Sequence, residues 1–188
     1  MKDPCIRQLL RETELSHYII DNECKVVDEL SLPVAGARID IAVINGSLHG
    51  YEIKSASDTL QRLPSQIEAY SKVFDYLSVV TEGKYFLRLK KTIPTWVGLI
   101  VCDDKNGVKT IKQVRKPKRN KNVKGFYIAK LLWKEELIEC LSEHQIPFKK
   151  KDRTWVLCET LESNLDIEIL SQSVRNKLKS RTDWKDYN

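Results

Sequence analysis

No apolar run in this sequence approaches the roughly 20 residues that would cross a bilayer, and the start, Met1-Lys2-Asp3-Pro4-Cys5, is not followed by the apolar core of a signal peptide. The expectation is a cytoplasmic protein with no membrane partner. Glycine and proline are few, 7 and 6 in 188 residues, which excludes collagen-like, linker-like and low-complexity architectures. The five cysteines (Cys5, Cys24, Cys102, Cys140 and Cys158) are odd in number and show no CxxC spacing. Neither a disulfide framework nor a zinc knuckle is indicated, so they read as reduced, mostly buried small hydrophobes. The three histidines, His17, His49 and His144, are scattered and read as surface or satisfied core. Cys–His, Ser–His–Asp and zinc-dependent mechanisms therefore lack their parts.

What the sequence has is core and charge. Hydrophobic residues make up 41% and charged residues 31%, enough for a packed domain. The formal net charge is +6 and its distribution is uneven. Nine basic residues and no acidic one lie between Lys105 and Lys124. Lysine and arginine that displace counterions from phosphates are the main sequence-independent source of nucleic-acid affinity. Lys112, Arg115, Lys116, Lys118, Arg119 and Lys121 are therefore candidate backbone contacts, against the alternative of a solvated loop. A second cluster, Arg175, Lys177, Lys179 and Arg181, would extend that surface or solubilise the last helix. Trp133 and Trp155 read as core residues.

The hydrophobic spacing predicts a helix over 6–20, a short strand at 26–27, and strands over 38–44 and 48–54. Asn45-Gly46 between the last two is a hairpin signal that makes them antiparallel. Pro64 opens a helix that runs to Leu77. A strand follows at 77–81, a helix at 84–91 stopped by Pro94, and a strand at 96–102 paired with 108–114. Residues 128–144 are helical, and 152–182 form two more helices. Mixed helices and strands of this order imply an α/β fold around one central sheet. The division is a core over 1–126 and a helical C-terminal extension over 127–188.

Strand side chains alternate between faces. Ile39, Ile41 and Val43 belong in the core, which puts Asp40 on the opposite face. Glu52 and Lys54 share a face of the next strand, with Ile53 turned away. A hairpin at Asn45-Gly46 brings Asp40, Glu52 and Lys54 together. Two adjacent carboxylates repel unless a cation lies between them, and Mg²⁺, a hard ion with oxygen ligands, answers that need. The lysine can position or help deprotonate the attacking water, or stabilise charge on a phosphate. The same pattern also describes any half-exposed sheet. On the helix that follows, Gln66 and Tyr70 stand one turn apart on one face. Asp58 and Arg62 continue that spacing upstream. They form an i,i+4 ion pair of about 0.3–0.5 kcal/mol, or Arg62 reaches toward phosphate.

With those residues in place, the sequence resembles the PD-(D/E)XK nuclease superfamily, in Asp40 and Glu52-Ile53-Lys54. It is similar in particular to the RecB-like branch, which adds Gln-x-x-x-Tyr on the following helix, here Gln66 to Tyr70. The string Ala37-Arg38-Ile39-Asp40-Ile41-Ala42, then Tyr51-Glu52-Ile53-Lys54-Ser55 and Asp58-Thr59-Leu60-Gln61-Arg62-Leu63, looks like a little-characterised bacterial family within that branch. The resemblance is best over 25–82. It implies a restriction-endonuclease-like core, a central mixed β-sheet flanked by helices. It also implies Asp40 and Glu52 as metal ligands with the Ile53 carbonyl a third, Lys54 as catalytic lysine, and Gln66 and Tyr70 as supports. The superfamily's first-helix glutamate, a further implied metal ligand, has three candidates, Glu12, Glu14 and Glu29, of which Glu29 is favoured by its place before Asp40. The implied activity is Mg²⁺-dependent hydrolysis of DNA, with Mn²⁺ as a substitute ion and RNA as an alternative substrate. A homodimer or protein partner is allowed for. The rival expectations are a non-catalytic nucleic-acid- or protein-binding module on the same fold, and a nuclease subunit that acts only within a larger complex.

Overall fold

The computed structural model describes residues 1–34 and 36–182; the last six residues of the expected C-terminal extension lie outside the described residues. The chain runs α1 (Asp3–Glu12), α2 (Ser16–Ile20), β1 (Lys25–Ser31), β2 (Arg38–Ile44), β3 (Leu48–Lys54) and α3 (Leu63–Ser71). It continues through β4 (Tyr76–Glu82), α4 (Gly83–Thr92), β5 (Gly98–Lys105) and β6 (Val108–Arg115). Four helices follow: α5 (Gly125–Ala129), α6 (Lys134–Glu143), α7 (Thr154–Asn164) and α8 (Ile167–Ser180). The six strands form one sheet in sequence order. β1–β2, β2–β3 and β5–β6 are antiparallel, while β3–β4 and β4–β5 are parallel and need the crossover helices α3 and α4. This is the expected α/β class: a mixed sheet flanked by helices, with helices at the C-terminal end.

The sheet is buried on both faces, which is why β2 to β5 are apolar nearly throughout. One face packs Ile41, Val43, Tyr51, Ile53, Val80 and Ile100 against Ile6, Leu10 and Leu15 of the N-terminal helices. The other packs Ala42, Ile44, Leu77 and Val79 against Ile67 and Tyr70 of α3 and the buried faces of α5 to α8. Ile39 departs from the expected alternation and joins this second face. The cause lies on the neighbouring strand, where Glu29 has a φ of 52° between the register pairs Asp28↔Ile41 and Leu30↔Ile39. A left-handed residue there turns the local backbone and with it the side chains on either side.

Three helix boundaries differ from the periodicity, each for a local reason. The expected helix over 6–20 breaks at Thr13, whose hydroxyl donates back to the Leu9 carbonyl at 2.6 Å. The helix expected to reach Leu77 stops at Ser71, where Asn120 Nδ2 takes the Ser71 carbonyl at 2.6 Å and, just beyond the helix, the Phe74 carbonyl at 2.9 Å. The stretch 128–144 is split into α5 and α6 by a cap, in which Trp133 N donates to the Glu136 carboxylate at 2.7 Å. The β2–β3 hairpin forms with a three-residue loop, in which Asn45 Oδ1 accepts the Ser47 N–H at 2.8 Å. The two-residue turn of positive φ is instead Asn106-Gly107, at 55° and 83°, between β5 and β6.

All five cysteines are free, and Cys102, Cys140 and Cys158 are buried. Trp155 is 48% exposed, so its expected place in the core is corrected. It occupies the first turn of α7, where Leu157, Cys158 and Leu161 face the core instead. Among the described residues no helix is long and apolar enough to cross a membrane.

Candidate active site

The site forms where β2 leaves β3. Their ladder ends at Ile41↔Tyr51, and beyond it side chains take over the backbone groups that the ladder would have used. Asp40 Oδ2 accepts the Ile53 N–H at 2.6 Å, and the freed Arg38 carbonyl lies 2.8 Å from the Tyr70 hydroxyl. The fork is thus held open by two residues that the sequence had marked for chemistry.

Glu52 and Lys54 share one face of β3 as period two requires. Glu52 is 2% exposed, and its burial is compensated on both oxygens. Oε1 accepts from Lys54 Nζ at 2.6 Å and from Gln66 Nε2 at 2.7 Å. Oε2 lies 2.7 Å from the Tyr70 hydroxyl. Tyr70 has a single proton for two acceptors, Glu52 and Arg38 O, and it accepts in turn from Gln66 Nε2 at 3.3 Å. The Gln66 amide is oriented by these contacts, with nitrogen toward the carboxylate, and its Oε1 is buried without a partner.

The electrostatics are unbalanced at Asp40. Burial, then the nearby Glu52, push its carboxyl pKa up to about 7, against the pull of the Ile53 N–H and Arg7. Tyr70 is pushed up as well, by burial and by Glu52. Asp40, Glu52, Ile53, Lys54 and Gln66 line one open cleft of about 780 Å³, together with Glu29, Arg38 and Arg62.

Of the three glutamates weighed for the first position, Glu29 lies at this cleft, paired with Arg7 at 2.7 Å and Arg38 at 2.9 Å. Glu12 is bonded to Gln8, and Glu14 to Gln113. Arg62 lines the cleft and is exposed. Asp58 does not pair with it: Asp58 Oδ2 accepts the Ser55 N–H and hydroxyl, each at 2.7 Å, and closes a turn rather than a helix. The helical ladder from Asp58 to Arg62 is therefore corrected.

The six residues of the basic stretch do not line this cleft. Lys112 and Arg115 are on β6, the far edge of the sheet. Arg115 is spent on carbonyls, donating to Val97 O at 2.8 Å and Pro94 O at 3.2 Å. Lys116, Lys118, Arg119 and Lys121 belong to a segment that bonds Trp96 O and Asp75 O, just before β5 and β4 begin. Lys54 stands at the opposite, C-terminal end of β3. Arg119 also pairs with Glu168. The second basic cluster is not a phosphate surface. Arg175 and Arg181 are buried, the latter bonded to Glu136 and the Leu131 carbonyl and stacked 4.2 Å over Trp133. Lys177 ties α8 to Glu139 and Glu143 of α6, at 2.9 and 2.6 Å.

Sequence reasoning missed Arg7. It donates to the Asp40 carbonyl at 2.7 Å, to Glu29 at 2.7 Å and to Asp28 at 3.3 Å, and so pins α1 to the fork. The only sequence trace is its i,i+4 spacing from Asp3 on α1, with which it pairs at 3.4 Å.

Among the described residues no group of three or more His, Cys, Asp and Glu side chains forms a metal cage. A donor set of two carboxylates and a carbonyl fits Mg²⁺, which keeps several waters and takes only one or two carboxylates from its protein. The raised Asp40 pKa is the imbalance that such a cation would relieve.

Fold and cleft together define a mixed α/β protein with an acidic, lysine-bearing cleft at the fork of its sheet. The chain belongs to the family described as bacteriophage P4 protein cII, which it matches over residues 2–186. It is 26% identical over 181 residues to "Protein cII" of Enterobacteria phage P4, covering 90% of this chain and 69% of the relative. It is also similar to the solved structure of the SPO1766 protein of unknown function from Silicibacter pomeroyi. That match has 18% identity and a TM-score of 0.41, over 57% of this chain and 68% of the other.

Proposed function

We propose that this chain is a metal-dependent nuclease that hydrolyses DNA phosphodiester bonds in the cleft at the β2–β3 fork, working in the cytoplasm. The observation that carries the reading is the meeting of Asp40, Glu52, Lys54 and Gln66 in one open cleft, with the buried Tyr70 hydroxyl behind it on Glu52. Chance placement of a surface-like Asp…Glu-x-Lys pattern gives no reason for the next helix to supply two of the glutamate's three side-chain partners.

Asp40, Glu52 and the Ile53 carbonyl would hold Mg²⁺ or Mn²⁺. The ion would supply Lewis-acid chemistry, lowering the pKa of water and neutralising phosphate charge. The chain's own residues do the rest. Gln66 and Tyr70 fix the Glu52 carboxylate in one orientation. Lys54 presents an ammonium to the cleft that stabilises charge on the phosphate as water attacks phosphorus and the ester P–O bond breaks. Arg62, exposed at the rim, holds the backbone. Glu29 acts behind the ligands, through Arg7 and Arg38. The resemblance to PD-(D/E)XK nucleases supports the same assignment, and RNA, a homodimer or a protein partner belong to the same reading.

A second reading, a binding module with structural carboxylates, is favoured by Glu52, whose oxygens already have three side-chain partners. The test is cleavage of linear and circular, single- and double-stranded DNA, with RNA alongside, in Mg²⁺, Mn²⁺ and EDTA. Asp40→Asn is the right variant, because its amide oxygen can still accept the Ile53 N–H. Lys54 is only 6% exposed and paired, so its removal would also disturb folding. Metal-dependent cutting lost in Asp40→Asn supports the nuclease. No cutting on any substrate, with binding kept in both proteins, supports the module.

A further inference from the structure

We propose that the α6–α7 connection and the first turn of α7 form a binding surface for single-stranded nucleic acid, separate from the cleft. Lys149, Lys150, Lys151 and Arg153 are all exposed there. No ion pair joins any of the four to an acidic side chain among the described residues, unlike Arg119 and Lys177. The single acid of the segment, Asp152, is engaged in holding its shape: Oδ2 accepts the Lys149 N–H at 3.1 Å, and the Asp152 N–H returns to the Lys149 carbonyl at 2.9 Å. The turn therefore displays four cations from a fixed backbone.

Beside them stands Trp155. It is the only exposed phenylalanine, tyrosine or tryptophan among the described residues, and helix α7 sets its position. An indole left in water loses the burial that normally justifies its size. Base stacking supplies that burial, since every base has a π-face, and adjacent cations track the phosphates of the same strand. A duplex hides its bases and offers only the phosphate half of this recognition, so the surface selects single strands. The basic stretch at 105–124 carries no aromatic residue within it and lacks this combination.

The test uses the full chain in EDTA, with a labelled oligothymidylate and a duplex of equal length. Wild type should bind the single strand more tightly, with quenching of tryptophan emission. Trp155→Ala should weaken single-strand binding by about 5- to 100-fold and leave duplex binding nearly unchanged, while Trp155→Phe keeps most of the affinity. Lys150→Gln with Lys151→Gln should lower the slope of log affinity against log salt by about 1.4. Unchanged melting temperatures confirm that these exposed substitutions leave the fold intact. In EDTA the outcome depends neither on cleavage nor on a metal in the cleft, which keeps this surface distinct from the cleft reading. The proposal is overturned if Trp155→Ala binds the oligonucleotide as wild type does. It is equally overturned if single strand and duplex weaken together, or if phosphatidylserine vesicles are bound through Trp155 while the oligonucleotide is not.

Discussion

The Asp40 carboxylate accepts the backbone N–H of Ile53 at 2.6 Å, across the gap where β2 and β3 stop pairing. A side chain that replaces a ladder hydrogen bond does two things at once. It satisfies a donor that would otherwise be left without its strand partner, and it places one charged oxygen near a second carboxylate on the next strand. Fold and candidate chemistry therefore meet in one contact, and substitutions at this fork separate them.

Asp40→Asn keeps an acceptor for Ile53 and removes the charge. It should melt within a few degrees of wild type and lose at least about 100-fold in cleavage, on the scale of removing one electrostatic element of a site. Added Mg²⁺ should raise the melting temperature of wild type and not of the variant, because only the charged fork gains free energy from a cation. Equal Mg²⁺ shifts in both proteins would dismiss Asp40 as a ligand.

Tyr70→Phe deletes a hydroxyl shared between buried Glu52 and the Arg38 carbonyl. The expected loss is about 1–3 kcal/mol in a urea titration, the cost of acceptors left without a donor. Lys54→Ala should cost more, about 3–5 kcal/mol, because it leaves a buried carboxylate without its cation. A Lys54→Ala protein as stable as wild type would show that the pair does not form.

Arg62→Ala and Arg181→Ala should behave as opposites. Arg62 is exposed at the cleft, so its loss weakens DNA binding and cutting with melting unchanged. Arg181 is buried against Glu136 and Trp133, so its loss costs about 3–5 kcal/mol of stability and leaves the salt dependence of DNA binding as it was. Stability falling in the first variant and not the second would reverse these assignments.

His49 gives the pH dependence. Burial pushes its pKa down to about 3, below the 6.5 of an unfolded histidine. Its ring bonds Ser78 at 3.0 Å and Tyr51 at 3.2 Å. With the folded pKa depressed, the neutral ring's contribution is fully present above pH 6.5 and is lost as pH falls toward 3, because the unfolded state takes up the proton first. The stability gap between wild type and His49→Gln should thus narrow from pH 7 to pH 4, by on the order of 3 kcal/mol. Equilibrium unfolding at four or five pH values measures it, and a constant gap would count against a buried neutral ring.

Alternation and turn residues alone determined the antiparallel pairing of β2 with β3, the shared face of Glu52 and Lys54, and a helix that presents Gln66 beside Tyr70. These are local relations, set by periods of 2 and 3.6 residues that any stretch of sequence carries within itself. Tertiary structure decided what distance along the chain conceals. Arg7 reaches the Asp40 carbonyl from 33 residues away, and Asn120 ends α3 from 49 residues away. The same holds for charge. Composition counts Arg175 and Arg181 with Lys150 and Lys151, but burial against Asp75 and Glu136 makes the first two part of the core. Whether a cation meets a partner or water depends on which surfaces pack, and packing is settled only when the whole chain closes around its sheet.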